Sequence, residues 1–297
     1  MRIRTLAAGL LVGGLALTAC GKEGTPNDPG GQAPPQQQVA QNVEVANSPT
    51  FAKMKAAGRV TIGVKEDQPG LGYKDPTTNK YTGFDIEIAK LVAAKLGFAE
   101  DKIDYKPVPS AGREAALANG DVQYYVGTYT INDKRKQQVA FAGPYFVAGQ
   151  GLLVKADNTD ITGKDTLKGK KVCSATGSTP IQKVKQENLT EPGNIVELQN
   201  YSQCIAQLDA GQVQVVTTDD AILKGYAAQD PGKFKLVGEP FSKEPYGIGL
   251  PKDDKPLRDK VNEILQGALD DGTWQAIYDN TLGKSGSPAT KPTLERY

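Results

Sequence analysis

The chain has 297 residues, with 35 Lys and Arg against 34 Asp and Glu and a formal net charge of +1. That balance excludes the basic excess expected of a nucleic-acid binder, and the length corresponds to about two domains. Histidine is absent, which removes the commonest general base and metal ligand, and three scattered cysteines are too few for a structural zinc site.

The N-terminus carries Arg2 and Arg4, then an apolar run over 6–17 that ends in "LTAC". The run is short for a bilayer span and has the layout of a signal peptide. Its end resembles a bacterial lipobox, which implies removal of 1–20 as a lipoprotein signal, lipidation of Cys20 and attachment to the outer face of the cell membrane. Residues 21–49 are rich in Gly, Pro, Gln, Asn and Ala without periodicity. They are read as a flexible tether.

"RVTIGV" (59–64) reads as a buried first strand. In "GFDIEIAKLVAAKLGF", Phe84, Ile88, Leu91, Val92 and Leu96 recur at helical spacing, and Gly97 marks the stop. Strands are expected at 103–108 and 122–130, with a short helix over 112–120 between them. The pattern then restarts. Strands are expected at 151–155, 170–175, 195–198 and 213–218, with helices over 179–189 and 201–211 and another starting near "DDAILKGYAA". Thr179 is expected to cap its helix, with Pro180 at the first helical position. Two helices follow "GIGL", and the tail after Gly283 is expected to fray. Alternating strands and helices imply parallel βαβ units in two α/β lobes. Ligands of such sheets bind beyond the carboxyl ends of the strands, here in a cleft between lobes.

Several motifs together resemble the family-3 extracellular solute-binding proteins of ABC importers. They are the lipobox, "GREAALANGDVQYYVGTYTINDKRKQQVAFAGPYFVAGQGLLV", "GKKVCSATGSTP" and "VVTTDDAIL". "VKEDQPGLGY" and "GREAAL" are similar to the glutamate/aspartate-binding branch of actinobacterial type. The resemblance implies a type II periplasmic-binding-protein fold of two Rossmann-like lobes. Lobe one would comprise 50–149 and 247–297, and lobe two 150–246, with crossovers near 149–151 and 244–247. It implies a monomeric receptor without cofactor or chemistry of its own that hands an amino acid, glutamate by the branch resemblance, to a membrane permease.

An α-amino acid offers a carboxylate, an ammonium and a side chain, each needing a partner in a dry cleft. Arg135 alone would suit a solvated basic turn; the resemblance places it on the α-carboxylate, where its fork can hold both oxygens. Thr128 and Thr130 alternate and should face the cleft together. By resemblance, Thr130 assists the carboxylate and Thr128 lies near the ammonium or side chain. Thr179 matches a hydroxyl that touches the α-carboxylate from lobe two, at a helix start that favours anions. Asp219 matches the acid that binds the ammonium, with Asp220 as its rival. Lys65, Arg113 and Ser110 match the groups that hold a side-chain carboxylate, while Gln68 could serve an amide ligand. The branch pattern includes a histidine contact that this chain lacks. With Cys20 lipidated, Cys173 and Cys204 remain as a disulfide pair or as two buried thiols. Other readings stay open: a receptor for glutamine, asparagine or another polar amino acid, or a dehydratase-like enzyme on the same fold.

Overall fold

A computed structural model describes residues 37–285 and 289–297 of the chain. The expected signal peptide, Cys20 and the first part of the tether lie outside the described residues. Residues 40–49 do not behave as a tether. Ala40 N–H bonds to the Ala94 carbonyl, and Val43 and Val45 pack on the core, since alternating valines give this segment one apolar face. Helix α1 (Pro49–Ala57) follows, capped by Ser48, whose Oγ accepts from Phe51 N–H. Pro49 sits at the first helical position, where its missing N–H costs nothing.

Two five-stranded sheets form the body. The first contains β1 (Val60–Val64), β4 (Ile103–Pro107), β5 (Tyr124–Val126), β6 (Val139–Ala148) and β12 (Glu244–Pro251), in the order β4-β1-β5-β12-β6. The second contains β7 (Gln150–Lys155), β8 (Val172–Ala175), β9 (Ile195–Leu198), β10 (Val215–Asp219) and β11 (Phe234–Val237), in the order β11-β7-β10-β8-β9. A two-stranded ribbon, β2 (Tyr73–Lys74) and β3 (Tyr81–Thr82), completes the strands. The helices are α2 (Phe84–Lys95), α3 (Arg113–Ala118), α4 (Asp133–Lys136), α5 (Thr179–Gln186), α6 (Tyr201–Asp209), α7 (Asp220–Gln229), α8 (Lys255–Asp270) and α9 (Thr273–Asn280).

Parallel pairing holds in each sheet centre: β1 with β4 and β5, and β8 with β9 and β10. The strands that carry the chain between lobes pair antiparallel: β12 with β5 and β6, and β7 with β10 and β11. The sheets are therefore mixed. The chain leaves sheet one between Ala148 and Gln150 and is back by Glu244, which pairs with Ala148. The return falls at the start of the expected 244–247 crossover, where Glu244 is already in register with β6.

α8 shows how sequence builds the support. Leu257, Val261, Leu265 and Ala268 form one buried stripe at helical spacing, and Asp254 caps the helix through Leu257 N–H at 3.1 Å. Phe84, at the start of α2, lies edge-on to Trp274 and Tyr278 of α9. The described part of the tail, 289–297, is docked and not frayed. Glu295 N–H reaches the Gly143 carbonyl, and Tyr297 Oη accepts from Phe141 N–H. Both contacts cover β6, an edge strand whose open backbone groups need partners.

In the second lobe Cys173 of β8 and Cys204 of α6 are joined by a disulfide, 31 residues apart in sequence. A loop of that length contributes about 3–4 kcal/mol through restriction of the unfolded chain.

Candidate functional site

The lobes meet along a cleft lined from both sides. Gly225 of α7 approaches Pro69 so closely that an added Cβ would lie 2.2 Å from the Pro69 carbonyl oxygen. Asp67 Oδ2 accepts from Ser202 N–H at 3.1 Å, and Tyr226 Oη donates to the Asp67 carbonyl. These contacts hold the mouth of the cleft together.

One end of the cleft is cationic. Lys65, directly after β1, is 3% exposed, and Arg113, first residue of α3, is 2% exposed. Lys65 Nζ donates to Ser110 Oγ at 2.8 Å. Arg113 uses Nε on the Ser110 carbonyl at 3.0 Å and Nη1 on the Thr128 carbonyl at 3.3 Å, and its guanidinium lies over the Tyr129 ring at 4.2 Å. Among the described residues neither Lys65 nor Arg113 has a carboxylate within 4.0 Å. Burial, then repulsion from Arg113, brings the Lys65 pKa down to about 7. Gln68, fully buried, accepts from Thr128 Oγ1 at 3.2 Å, and its Nε2 has no partner. Lys65, Ser110, Arg113 and Gln68 thus face one region with N–H or O–H groups to give.

Arg135 bridges the lobes. Nη1 donates to the Thr130 carbonyl at 2.7 Å, Nη2 to the Gly177 carbonyl of lobe two at 3.1 Å, and Nε lies 3.4 Å from Glu114. It is buried, not a solvated turn residue. Burial and the neighbouring Arg113 lower its pKa to about 10. Asn132 caps the short α4 by accepting from Arg135 N–H, which fixes the side chain's starting point.

The expected strand over 122–130 ends at Val126. Thr128 has φ of +46°, a strained conformation for a β-branched residue, so alternation does not place the two threonines. Asp85 of α2 holds the turn: Oδ2 accepts from Thr128 N–H at 3.0 Å and Oδ1 from Tyr145 Oη at 2.8 Å. Burial raises the Asp85 pKa to about 7. Thr130 instead meets the hinge strand through a bridge to Tyr246.

In lobe two the cap of α5 is Ser178, not Thr179. Ser178 Oγ accepts from Ile181 N–H at 3.3 Å, which frees the Thr179 hydroxyl to reach the cleft. Asp219 ends β10, is buried, and accepts from Tyr246 Oη at 2.6 Å on Oδ2, while Oδ1 has no partner. Burial and then Glu244 raise its pKa to about 8. Its rival Asp220 is committed elsewhere: Oδ1 accepts from Gly149 N–H at 3.1 Å and Oδ2 pairs with Lys224 at 2.8 Å.

Sequence reasoning missed two carboxylates, Asp85 and Glu244. Glu244 Oε2 accepts from the hydroxyls of Thr130 at 2.8 Å and Thr179 at 2.7 Å, and Oε1 from Ser242 Oγ at 2.6 Å. A lone acid in "SKEPYG" carries no local signal. Only its place at the return crossover marks it. Among the described residues no helix is long and apolar enough to cross a membrane, and no cluster of metal-ligating side chains occurs.

Comparison with known proteins agrees with this architecture. Residues 60–284 match the family described as bacterial extracellular solute-binding proteins, family 3. The chain is 40% identical over 247 residues to a glutamate-binding protein of Corynebacterium efficiens, covering 80% of this chain and 83% of that one. It is also 40% identical over 252 residues to a glutamine-binding protein of Geobacillus stearothermophilus, covering 84% and 92%. The solved structure of an ancestral arginine-binding protein bound to arginine superposes with a TM-score of 0.70 at 37% identity, over 75% of this chain and 98% of that one. The fold is the type II periplasmic-binding-protein fold, and the chain belongs to the family-3 extracellular solute-binding proteins of ABC importers.

Proposed function

We propose that the protein is a receptor for an acidic amino acid, with L-glutamate as its ligand, and that it delivers this ligand to the permease of an ABC importer. One observation carries the reading. Lys65 and Arg113 are both buried in the cleft without a carboxylate partner, and the groups beside them, Ser110 and Gln68 Nε2, are also donors. Buried cations need an anion, and a carboxylate needs only donors. An amide side chain would set its two N–H groups against two cations, with only the Ser110 and Gln68 oxygens to receive them, and a guanidinium ligand would be repelled.

In this reading Arg135 takes the α-carboxylate and Asp219 Oδ1 takes the ammonium. Thr128, Thr130 and Thr179 line the same end, and Lys65, Ser110, Arg113 and Gln68 hold the side-chain carboxylate. The relative described as glutamate-binding supports it. The relative described as glutamine-binding keeps a glutamine receptor as the second reading. The receptor works as a monomer without cofactor, anchored on the outer face of the membrane through lipidated Cys20. Titration of the purified protein with L-glutamate and L-glutamine tests the ligand. Recovery of unchanged glutamate at one per chain is expected of a receptor, and turnover would contradict it. Loss of membrane retention in Cys20→Ala tests the anchor.

A further inference from the structure

Glu244 opens β12, the strand on which the chain returns to sheet one. It is buried, and a single oxygen, Oε2, accepts from a hydroxyl of each lobe: Thr130 at 2.8 Å and Thr179 at 2.7 Å. The two hydroxyl oxygens lie 3.3 Å apart. A hydroxyl has one proton and two lone pairs. With both protons directed at Glu244, Thr130 and Thr179 have only lone pairs left for anything else in the cleft. They can accept, but cannot donate to a carboxylate.

Two residues on, and so on the same face of the strand, Tyr246 gives its proton to Asp219 Oδ2 and leaves Oδ1 buried without a partner. Main-chain bonds tie the same stretch to Thr130: Ile131 N–H reaches the Pro245 carbonyl, and Gly247 N–H reaches the Tyr129 carbonyl. One face of one hinge strand therefore takes the protons of two hydroxyls and gives one to Asp219, leaving lone pairs on Thr130, Thr179 and Asp219 Oδ1. The far end of the cleft, at Lys65, Ser110, Arg113 and Gln68, presents donors.

We propose that Glu244 is a positioning residue that fixes the polarity of the clamp: by taking the protons of Thr130 and Thr179 it commits both hydroxyls to the ligand's ammonium and leaves the α-carboxylate to Arg135. This replaces the carboxylate role expected of these two hydroxyls from sequence. It rests on the amino-acid reading above, but not on the choice between glutamate and glutamine, because both carry the same ammonium.

The test uses Glu244→Gln, which keeps the shape but puts an NH2 donor where an acceptor stood. The full chain, this variant, Thr179→Val and the double variant are titrated by calorimetry with L-glutamate and with L-glutamine, with thermal melts as the fold control. Glu244→Gln should weaken both ligands by a similar factor, about tenfold or more. The double variant should bind no more weakly than the weaker single variant, since Glu244 acts through the hydroxyls. Unchanged affinity, a loss confined to one ligand, or additive losses would overturn the proposal. If Glu244→Gln does not fold, Thr130→Val and Thr179→Val carry the test: each should weaken L-glutamate and L-glutamine by a similar factor, and unchanged affinity or a loss confined to one ligand overturns it. Which ligand the wild type prefers is read from its own titrations, so the ligand assignment and the role of Glu244 fail independently.

Discussion

The Arg135 guanidinium reaches out of lobe one and donates through Nη2 to the Gly177 carbonyl of lobe two at 3.1 Å. Nη1 is held by the Thr130 carbonyl at 2.7 Å, so one planar group is oriented by both walls of the cleft. A carboxylate bound there would meet a cation whose direction is already set, at little further entropic cost.

Arg135→Ala should therefore remove most of the affinity for any α-amino acid. Breaking a buried charge pair costs about 3–5 kcal/mol, or a loss of roughly 100-fold or more. Calorimetry checks the affinity and a thermal melt checks the fold. Binding at wild-type strength would show that the carboxylate sits elsewhere.

Arg113→Ala should cost glutamate affinity more than glutamine affinity, because the side-chain carboxylate loses a charged partner and an amide loses only a donor. A gap of about tenfold between the two losses is expected. Competition of both ligands against wild type and variant measures it, and equal losses would place Arg113 outside the side-chain subsite.

Lys65 gives a pH signature. Its pKa stands at about 7 because burial disfavours the charged amine, and a bound carboxylate must raise it. A group whose pKa is raised on binding contributes fully below its free value, and that contribution is lost as pH climbs toward the bound value. The ratio of glutamate to glutamine affinity should thus be greatest below about pH 7 and fall by up to about tenfold per unit above it. The Asp219 shift, to about 8, affects the common ammonium and cancels in the ratio. A ratio that stays flat from pH 6 to 9 would remove Lys65 from the charge reading.

Much of the lobe structure could be read from the chain, because periodicity reports burial directly. The stripe of Phe84, Ile88, Leu91 and Val92 is buried in α2 as its spacing implies. The mixed sheets could not be read, since antiparallel pairing of β12 with β6 joins segments about a hundred residues apart. The turn at Thr128 was missed for a similar reason: its positive φ is stabilised by Asp85, which is 43 residues away. Ser178 and Thr179 are both good caps by composition, and only the geometry shows that Ser178 caps while Thr179 reaches Glu244. Glu244 is silent in sequence because its meaning comes from two hydroxyls brought to it from different lobes.

Lys65 and Arg113, two buried cations without a carboxylate partner, carry the ligand assignment. Calorimetric titration of the wild-type protein at pH 7 with L-glutamate and then L-glutamine tests them together. Saturable binding of one glutamate per chain, tighter than glutamine, is the predicted result, and tighter binding of glutamine, or no binding of glutamate, would contradict it.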